Sequence, residues 1–395
     1  MSVRRGREAL LAALLCVLPG AAAGQWDVAA YALGVGLRAG SGTFGPGGTT
    51  WLARTRVMPS GAAGPLRLEV AYEHVLTRTP AEGAPTMVPG SADVRGGDWL
   101  GTDWEIRSTE RTSWRHRFDR LSLEWGGEQA SVTVGRQVIS WATTLFLTPS
   151  DPFVPFDPSD PFREYRAGVD AVRVRLFPGP FTEIEAVARA AETPDGTTVT
   201  ALVRGQTALD AWAVGGWAGA LHGEAAGALF ATGAVGATAV RGELSLRRGD
   251  DDSPALRGAV GIDRRFSAAG RDLFLVAEMQ YDGFGARRAS DLRAVALSDP
   301  YRRGEMQTLG RWTGAAQASF QVHPLVSLDG MVLASLGDGS ALLAPGVSWS
   351  ATSAAAVRLG AYVGAGPGGA DPVAGLASEY GPIPGLAYLA VSWFF

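Results

Sequence analysis

The chain has 395 residues, among them 53 glycines and 23 prolines, with 19% charged residues and a net charge of −4. That balance gives no electrostatic case for binding nucleic acid. Beyond the N-terminal segment no run of about 18 apolar residues occurs, which excludes membrane-spanning helices but not strands with one apolar face.

Met1 to Gly24 reads as a cleaved secretory signal peptide. Arg4, Arg5 and Arg7 supply its positive end, Ala9–Leu18 its apolar stretch, and Pro19-Gly20 breaks the helix before the small residues 21–24. An uncleaved anchor is the alternative, and the apolar stretch is too short for it. Cys16 is the one cysteine and falls inside this segment, so the mature chain has no disulfide or thiolate metal site. Every basic residue is arginine, which reflects genome composition rather than chemistry.

From residue 25 onward, alternating segments of about 10–13 residues recur between Gly, Pro, Asp and Ser clusters, the pattern of barrel strands. Eighteen are predicted. The first five are Trp26–Ala39, Thr49–Met58, Leu66–Thr77, Thr112–Trp125 and Ala130–Trp141. Next come Gly168–Phe177, Phe181–Ala191, Thr197–Thr207, Leu209–Leu221, Glu224–Gly233 and Gly236–Arg247. The last seven are Ala255–Phe266, Arg271–Asp282, Leu309–Gln321, Leu325–Leu336, Ser340–Trp349, Ser353–Ala365 and Gly385–Phe395. The Ala/Gly-rich stretch Leu209–Ala239 is the least regular, and sixteen strands is the alternative count. Connections after even-numbered segments are all short, and the long gaps 78–111, 142–167, 283–308 and 366–384 follow odd ones. An antiparallel barrel with short periplasmic turns and long outer loops has this asymmetry.

The faces sort the same way. Val172, Val174 and Leu176 oppose Arg173 and Arg175, and Val240, Leu244 and Leu246 oppose Arg241, Glu243 and Arg247. Leu273, Leu275, Met279 and Tyr281 oppose Asp272, Glu278 and Asp282. A lipid-facing wall around a wet lumen explains both faces, and about eighteen strands enclose a channel rather than a packed core. The last segment places Phe395, Trp393, Val391, Leu389 and Ala387 on one side, and Trp393 and Phe395 form the expected assembly signal. Trp51, Trp125, Trp141, Trp349, Trp393 and Phe395 at segment ends suggest interfacial girdles; Trp212 and Trp217 do not fit them.

The stretch between Gly135 and Gly168 stands apart. Pro149, Pro152, Pro155, Pro158 and Pro161 forbid a helix, and Phe146, Phe153, Phe156 and Phe162 would be poorly placed in water. Such a loop is expected to fold into the barrel and narrow it. The run G-R-Q-x-x-x-W at 135–141, followed by a P-x-D-x-F-x-P-F loop, resembles segments of outer-membrane porin families, including alginate-export-type barrels. The resemblance is specific over about Gly135–Arg175, and the C-terminal Phe extends it generically. It implies passive, selective passage of a small solute or of a polysaccharide.

The charges of a constriction select its solutes. Candidates are Asp151, Asp157, Asp160 and Glu164 on the loop, facing Arg136, Arg173, Arg175, Arg189 and Arg241 on the wall. The plainer reading is that these residues only pin the loop. Arg136 shares its parity with Val132, Val134 and Val138, so a bulge or snorkelling must intervene. Asp151, Asp157 and Asp160 also suggest calcium, but no EF-hand spacing accompanies them. Arg248–Ser253 reads as a solvated hairpin tip. His74, His116, His222 and His323 are scattered, and no catalytic motif occurs, so no enzyme, metal or cofactor is expected.

The expectation is therefore a cleaved leader and, over residues 25–395, an all-β transmembrane antiparallel barrel in a Gram-negative outer membrane. Its expected partners are outer-membrane lipid and lipopolysaccharide, the barrel-assembly machinery, a small solute or polysaccharide, and further copies of itself in a homo-oligomer. The alternatives to a diffusion channel are a polysaccharide export channel with periplasmic partners and a structural or adhesion barrel.

Overall fold

Strict alternation commits nearly the whole chain to strands, and the strands have only one another to pair with. The computed structural model describes residues 25–42, 47–80, 97–153, 162, 164–193, 196–248, 253–371 and 375–395. The leader segment lies outside them. In chain order the ring strands are β1 (Gln25–Ala39), β2 (Gly48–Ala63), β3 (Leu66–Arg78), β4 (Thr112–Gly126), β5 (Ala130–Gln137) and β6 (Val169–Gly179). They continue as β7 (Thr182–Thr193), β8 (Gly196–Leu209), β9 (Trp212–Leu221), β10 (Glu224–Val235), β11 (Thr238–Arg248) and β12 (Pro254–Ala268). The remainder are β13 (Arg271–Asp282), β14 (Trp312–His323), β15 (Val326–Ser335), β16 (Ser340–Ser350), β17 (Ala355–Ala365) and β18 (Leu386–Phe394).

Each pairs antiparallel with its sequence neighbours, and β18 returns to β1 with Tyr31 opposite Phe394 and Ala39 opposite Leu386. The barrel is thus closed and has eighteen strands. Phe395 completes the seam by exchanging backbone hydrogen bonds with Ala30 at 2.8 and 3.0 Å. The connections follow the expected parity. Turns such as Gly64-Pro65, Asp210-Ala211 and Ala269-Gly270 sit at one end, and the long loops sit at the other. Ala269 and Gly270 both have positive φ, 52° and 71°, the mirror-image turn that matches strand twist.

The outer wall is apolar: Val172, Leu176, Leu244, Leu246, Val260, Ile262, Leu389 and Trp393 are exposed there. Intervening residues such as Glu185, Glu243, Glu278 and Arg247 are buried on the inner side. Among the described residues no helix is long and apolar enough to cross a membrane. One strand departs from this division. On β1 the buried inner face is Tyr31, Leu33, Val35 and Leu37, while Gly34 and Gly36 lie on the outer face. The inner residues meet Leu147 and Phe162 of the long loop in one apolar cluster, so the lumen there is filled rather than wet.

Three features were not expected from the sequence. The strand predicted over Ala130–Trp141 stops at Gln137, because the chain turns inward there, and Trp141 is 1% exposed rather than part of a girdle. A short outer strand, Asp103–Thr109, pairs with the upper part of β4 instead. Beyond β13, two short helices, Leu292–Ala296 and Asp299–Arg302, interrupt the outer loop. Leu292, Val295, Met306 and Ala286 give that loop a small core of its own.

Candidate functional site: a loop bolted across the lumen

The turn inward is built by the G-R-Q-x-x-x-W run itself. Gly135 has φ 113°, and a Cβ there would lie 2.3 Å from the Leu121 carbonyl oxygen. Only glycine fits. Arg136 donates through Nε and Nη2 to the Asp170 carboxylate at 2.8 and 2.7 Å, a bidentate pair. It donates further to Asp98 at 3.0 Å and to the Leu100 carbonyl at 2.9 Å. These contacts sew residues 97–100 into the place that β5 vacates. At 1% exposure Arg136 is enclosed within this seam. Gln137 donates to the Ala171 carbonyl at 3.1 Å, and Trp141 Nε1 donates to Glu185 on β7 at 2.9 Å.

From Trp141 the loop crosses the lumen. Over its described residues 142–153 it forms no strand, so its N–H groups there need acceptors from the wall. Glu243 on β11 accepts from the amides of Thr143 (2.9 Å), Thr144 (3.3 Å) and Ser150 (3.0 Å). Glu278 on β13 accepts from those of Leu145 (2.6 Å), Phe146 (2.9 Å) and Leu147 (2.9 Å). Gln307 brackets the next step, accepting from Thr148 N and donating to the Phe146 carbonyl, both at 2.6 Å. Trp217 Nε1 on β9 donates to the Ser150 carbonyl at 3.0 Å.

The far end of the loop reaches the opposite wall. Arg54 on β2 donates to the Phe162 carbonyl at 3.0 Å, and the Phe162 ring meets Tyr388 of β18 edge-on at 4.8 Å. Glu164 pairs with Arg358 of β17 at 2.8 Å. The Arg56 guanidinium lies 4.7 Å over the Tyr165 ring. Strands β2 and β11 are nine places apart in the ring of eighteen, so the loop is tied to diametrically opposed walls.

The predicted constriction residues divide by exposure. Asp151 is buried, accepts from Ser140 Oγ at 2.9 Å and lies 3.5 Å from Arg166, which also donates to Ser140. Burial pushes its carboxyl up, and Arg166 opposes the shift. Arg189 is buried too and donates to the Gly97 carbonyl at 3.1 Å. Arg173, Arg175 and Arg241 keep 20%, 24% and 23% of their side chains exposed while pairing with Glu185, Glu124 and Asp263. Arg358 and Glu164 remain part-exposed as well. Asp157 and Asp160 lie outside the described residues. Among the described residues no cluster of three or more metal-type ligands forms, and Asp151 is occupied by Ser140, the Phe153 amide and Arg166.

The sequence reading missed a buried network on β2–β4. Arg56 joins Glu73 (3.1 Å) and Asp119 (2.7 Å), and Arg117 joins Glu73 (2.7 Å). Asp119 sits at a β-bulge, where the register slips between Ala71 and Tyr72, which turns its side chain to Arg56. Glu243 and Glu278 were visible only as acids on a polar face.

At the outer mouth, Glu305 receives Arg247 at 2.6 Å, and His222 Nε2 is 3.7 Å from the same carboxylate. Burial lowers the His222 pKa to about 3, and Arg189, Arg303 and Arg247 add to the effect. Glu379 accepts from the amides of Leu309 and Gly310 at 2.8 and 2.9 Å, linking the outer loops that follow β13 and β17.

This is a closed antiparallel barrel with an inward loop, and solved barrels of outer-membrane porins share its fold. OccAB1 of Acinetobacter baumannii superposes with a TM-score of 0.58 at 8% identity, covering 94% of this chain and 96% of that one. A BenF-like porin from Pseudomonas fluorescens Pf-5 gives 0.54 at 10% identity, covering 95% and 99%. Pseudomonas aeruginosa OpdK, solved with vanillate, gives 0.52 at 10% identity, covering 93% and 98%. At these identities the likeness is one of fold. No protein-family model matches the chain, and no curated protein does.

Proposed function

We propose that the protein is a porin-like channel of a Gram-negative outer membrane, passing small polar or charged solutes by diffusion. The observation that carries this reading is the loop fixed to opposite walls of a wide barrel. It divides a lumen too large to be packed by wall side chains alone. Arg173, Arg175, Arg241 and Arg358 with Glu124, Asp263 and Glu164 form the part-exposed charged lining that would select solutes. Asp157 and Asp160 would add to it from the loop, and Trp393 and Phe395 would serve as the assembly signal. A loop held by more than ten hydrogen bonds suits small solutes better than the bulky chain that the alginate-export resemblance would imply.

The test is conductance of the refolded protein in a planar bilayer, repeated with Ser150–Glu164 deleted. Steady conductance that rises on deletion is expected. Silence of both proteins, with folding shown by heat-modifiable migration, would overturn the reading.

A further inference from the structure

The outer wall carries a groove at the closing seam that the channel reading does not use. It has a volume of about 750 Å³ and runs along β18, β1 and β2. Its floor is Gly34, Gly36, Ala53 and Ala387, and its flanks are Trp51, Leu76, Leu359 and Leu389. The inverted pattern of β1 creates it, because the bulky residues of that strand point inward and leave glycines outside. The Trp51 ring lies on Gly36, where an added Cβ would come within 2.8 Å of it; above Gly34 no atom lies within 4 Å. The space is open.

Its charge is confined to one end. Arg38 and Arg78 both line the groove and both are exposed. Thr49 of β2 stands opposite Arg38 in register, and Trp51 stands opposite Arg78. Neither guanidinium has a hydrogen-bond or ion-pair partner among the described residues. Both lie at the long-loop end of their strands, the outward end of such a barrel. From Arg38 down to Gly34 is roughly 13 Å of strand, room for the upper part of an acyl chain. Two cations above an apolar trough match an amphiphile with an anionic head and hydrocarbon tails. A second copy of the chain fits poorly, since a two-fold contact there would bring four guanidiniums together.

We propose that this groove binds a phosphorylated, multiply acylated glycolipid of the outer leaflet. Arg38 and Arg78 take its phosphate through charge-assisted hydrogen bonds, and one acyl chain lies along Gly34 and Gly36 against Trp51. The proposal rests on the outer-membrane reading, but its test is independent of conduction.

The detergent-purified, delipidated barrel is titrated with hexa-acylated lipid A and, separately, with phosphatidylethanolamine, and adducts are counted by native mass spectrometry. The wild type is expected to retain one lipid A in preference to phosphatidylethanolamine. Arg38→Gln with Arg78→Gln should lower lipid A occupancy at least about tenfold, the loss of one good charged contact. Gly34→Leu, whose Cβ meets no atom within 4 Å and whose side chain would occupy the trough, should lower it with both arginines intact. Conductance in phosphatidylcholine bilayers should be the same for all three proteins. A correctly folded wild type without a lipid A preference, undiminished binding by the double variant, or dimers in place of adducts would overturn the proposal. Silent bilayers beside an intact lipid adduct would instead count against the channel reading alone.

Discussion

Glu278→Gln is the sharpest probe of how the loop is held. The wild-type carboxylate is 5% exposed and accepts three loop amides, one on Oε1 and two on Oε2. A glutamine keeps one accepting oxygen and turns an NH2 toward at least one of those N–H donors. Each charge-assisted bond is worth roughly 1.5–3 kcal/mol, so exchanging one or two for a donor-donor contact costs about 2–4 kcal/mol locally. The barrel's own ladder is untouched, so the cost falls on the loop: its detached state becomes roughly a hundredfold more populated. Single-channel recordings should show added noise and wider openings, and amide exchange should accelerate over residues 143–150 while the strands stay protected. Glu243→Gln should do the same, and the double variant should exceed either. Recordings and exchange in the double variant that match the wild type would refute the anchoring argument.

Other perturbations separate anchor from lining. Trp141→Phe loses one hydrogen bond to Glu185, which keeps Arg173, so it should cost about 1 kcal/mol in chemical denaturation. Trp141→Ala should cost about 3–5 kcal/mol by opening a cavity beside Phe153 and Trp217. Arg358→Ala removes a part-exposed pair worth under about 1 kcal/mol, so thermal stability should hold while the reversal potential moves toward cations. Equal reversal potentials would remove Arg358 from the lining. His222 is held neutral with its pKa near 3, below the ordinary value of 6.5. The unfolded chain then binds the extra proton, and the stability His222 contributes is complete above pH 6.5 and is lost as pH falls toward 3. His222→Asn, which tolerates the left-handed φ of 54°, should flatten that part of the pH profile of unfolding. An unchanged profile would count against it.

The eighteen strands were legible because inward and outward residues alternate with period two, and a shift by one would put arginines in lipid. On β11, Leu244 and Leu246 lie outside and Glu243, Ser245 and Arg247 inside, as the alternation requires. The early end of β5 was not legible, since Val138 and Ile139 continue an apolar run that could equally extend the strand. What ends it is the Arg136–Asp170 pair and the positive φ of Gly135, both set by partners elsewhere in the chain. The site was half legible for the same reason. Composition marks 142–167 as a stiff, inward loop, but its acceptors on β11 and β13 lie 93 to 133 residues away. Nothing local distinguishes those glutamates from the lumen-facing charges beside them. The inner apolar face of β1 was missed because Tyr31, Leu33, Val35 and Leu37 alternate just as a lipid-facing set would.

Asp151 tests whether the loop's burial is selected for fit or for charge. Its carboxyl is enclosed, accepts from Ser140 and the Phe153 amide, and has one cation, Arg166, at 3.5 Å. Burial raises its pKa, so the folded loop holds the proton more tightly than the unfolded chain. Stability must then be greatest in acid and decline as pH rises from the ordinary aspartate range through the raised value. An isolated anchor of the salt-bridge type would have the opposite slope. Asp151→Asn keeps an oxygen for the Phe153 amide, turns its NH2 to the Ser140 hydroxyl, which can accept, and removes the charge that burial disfavours. It should therefore leave the loop as stable as the wild type in acid and equally or more stable at neutral pH, with the pH slope reduced. If Asp151→Asn loosens the loop at neutral pH, read as faster amide exchange over 147–153, then the Arg166 pairing outweighs desolvation and Asp151 is an electrostatic anchor.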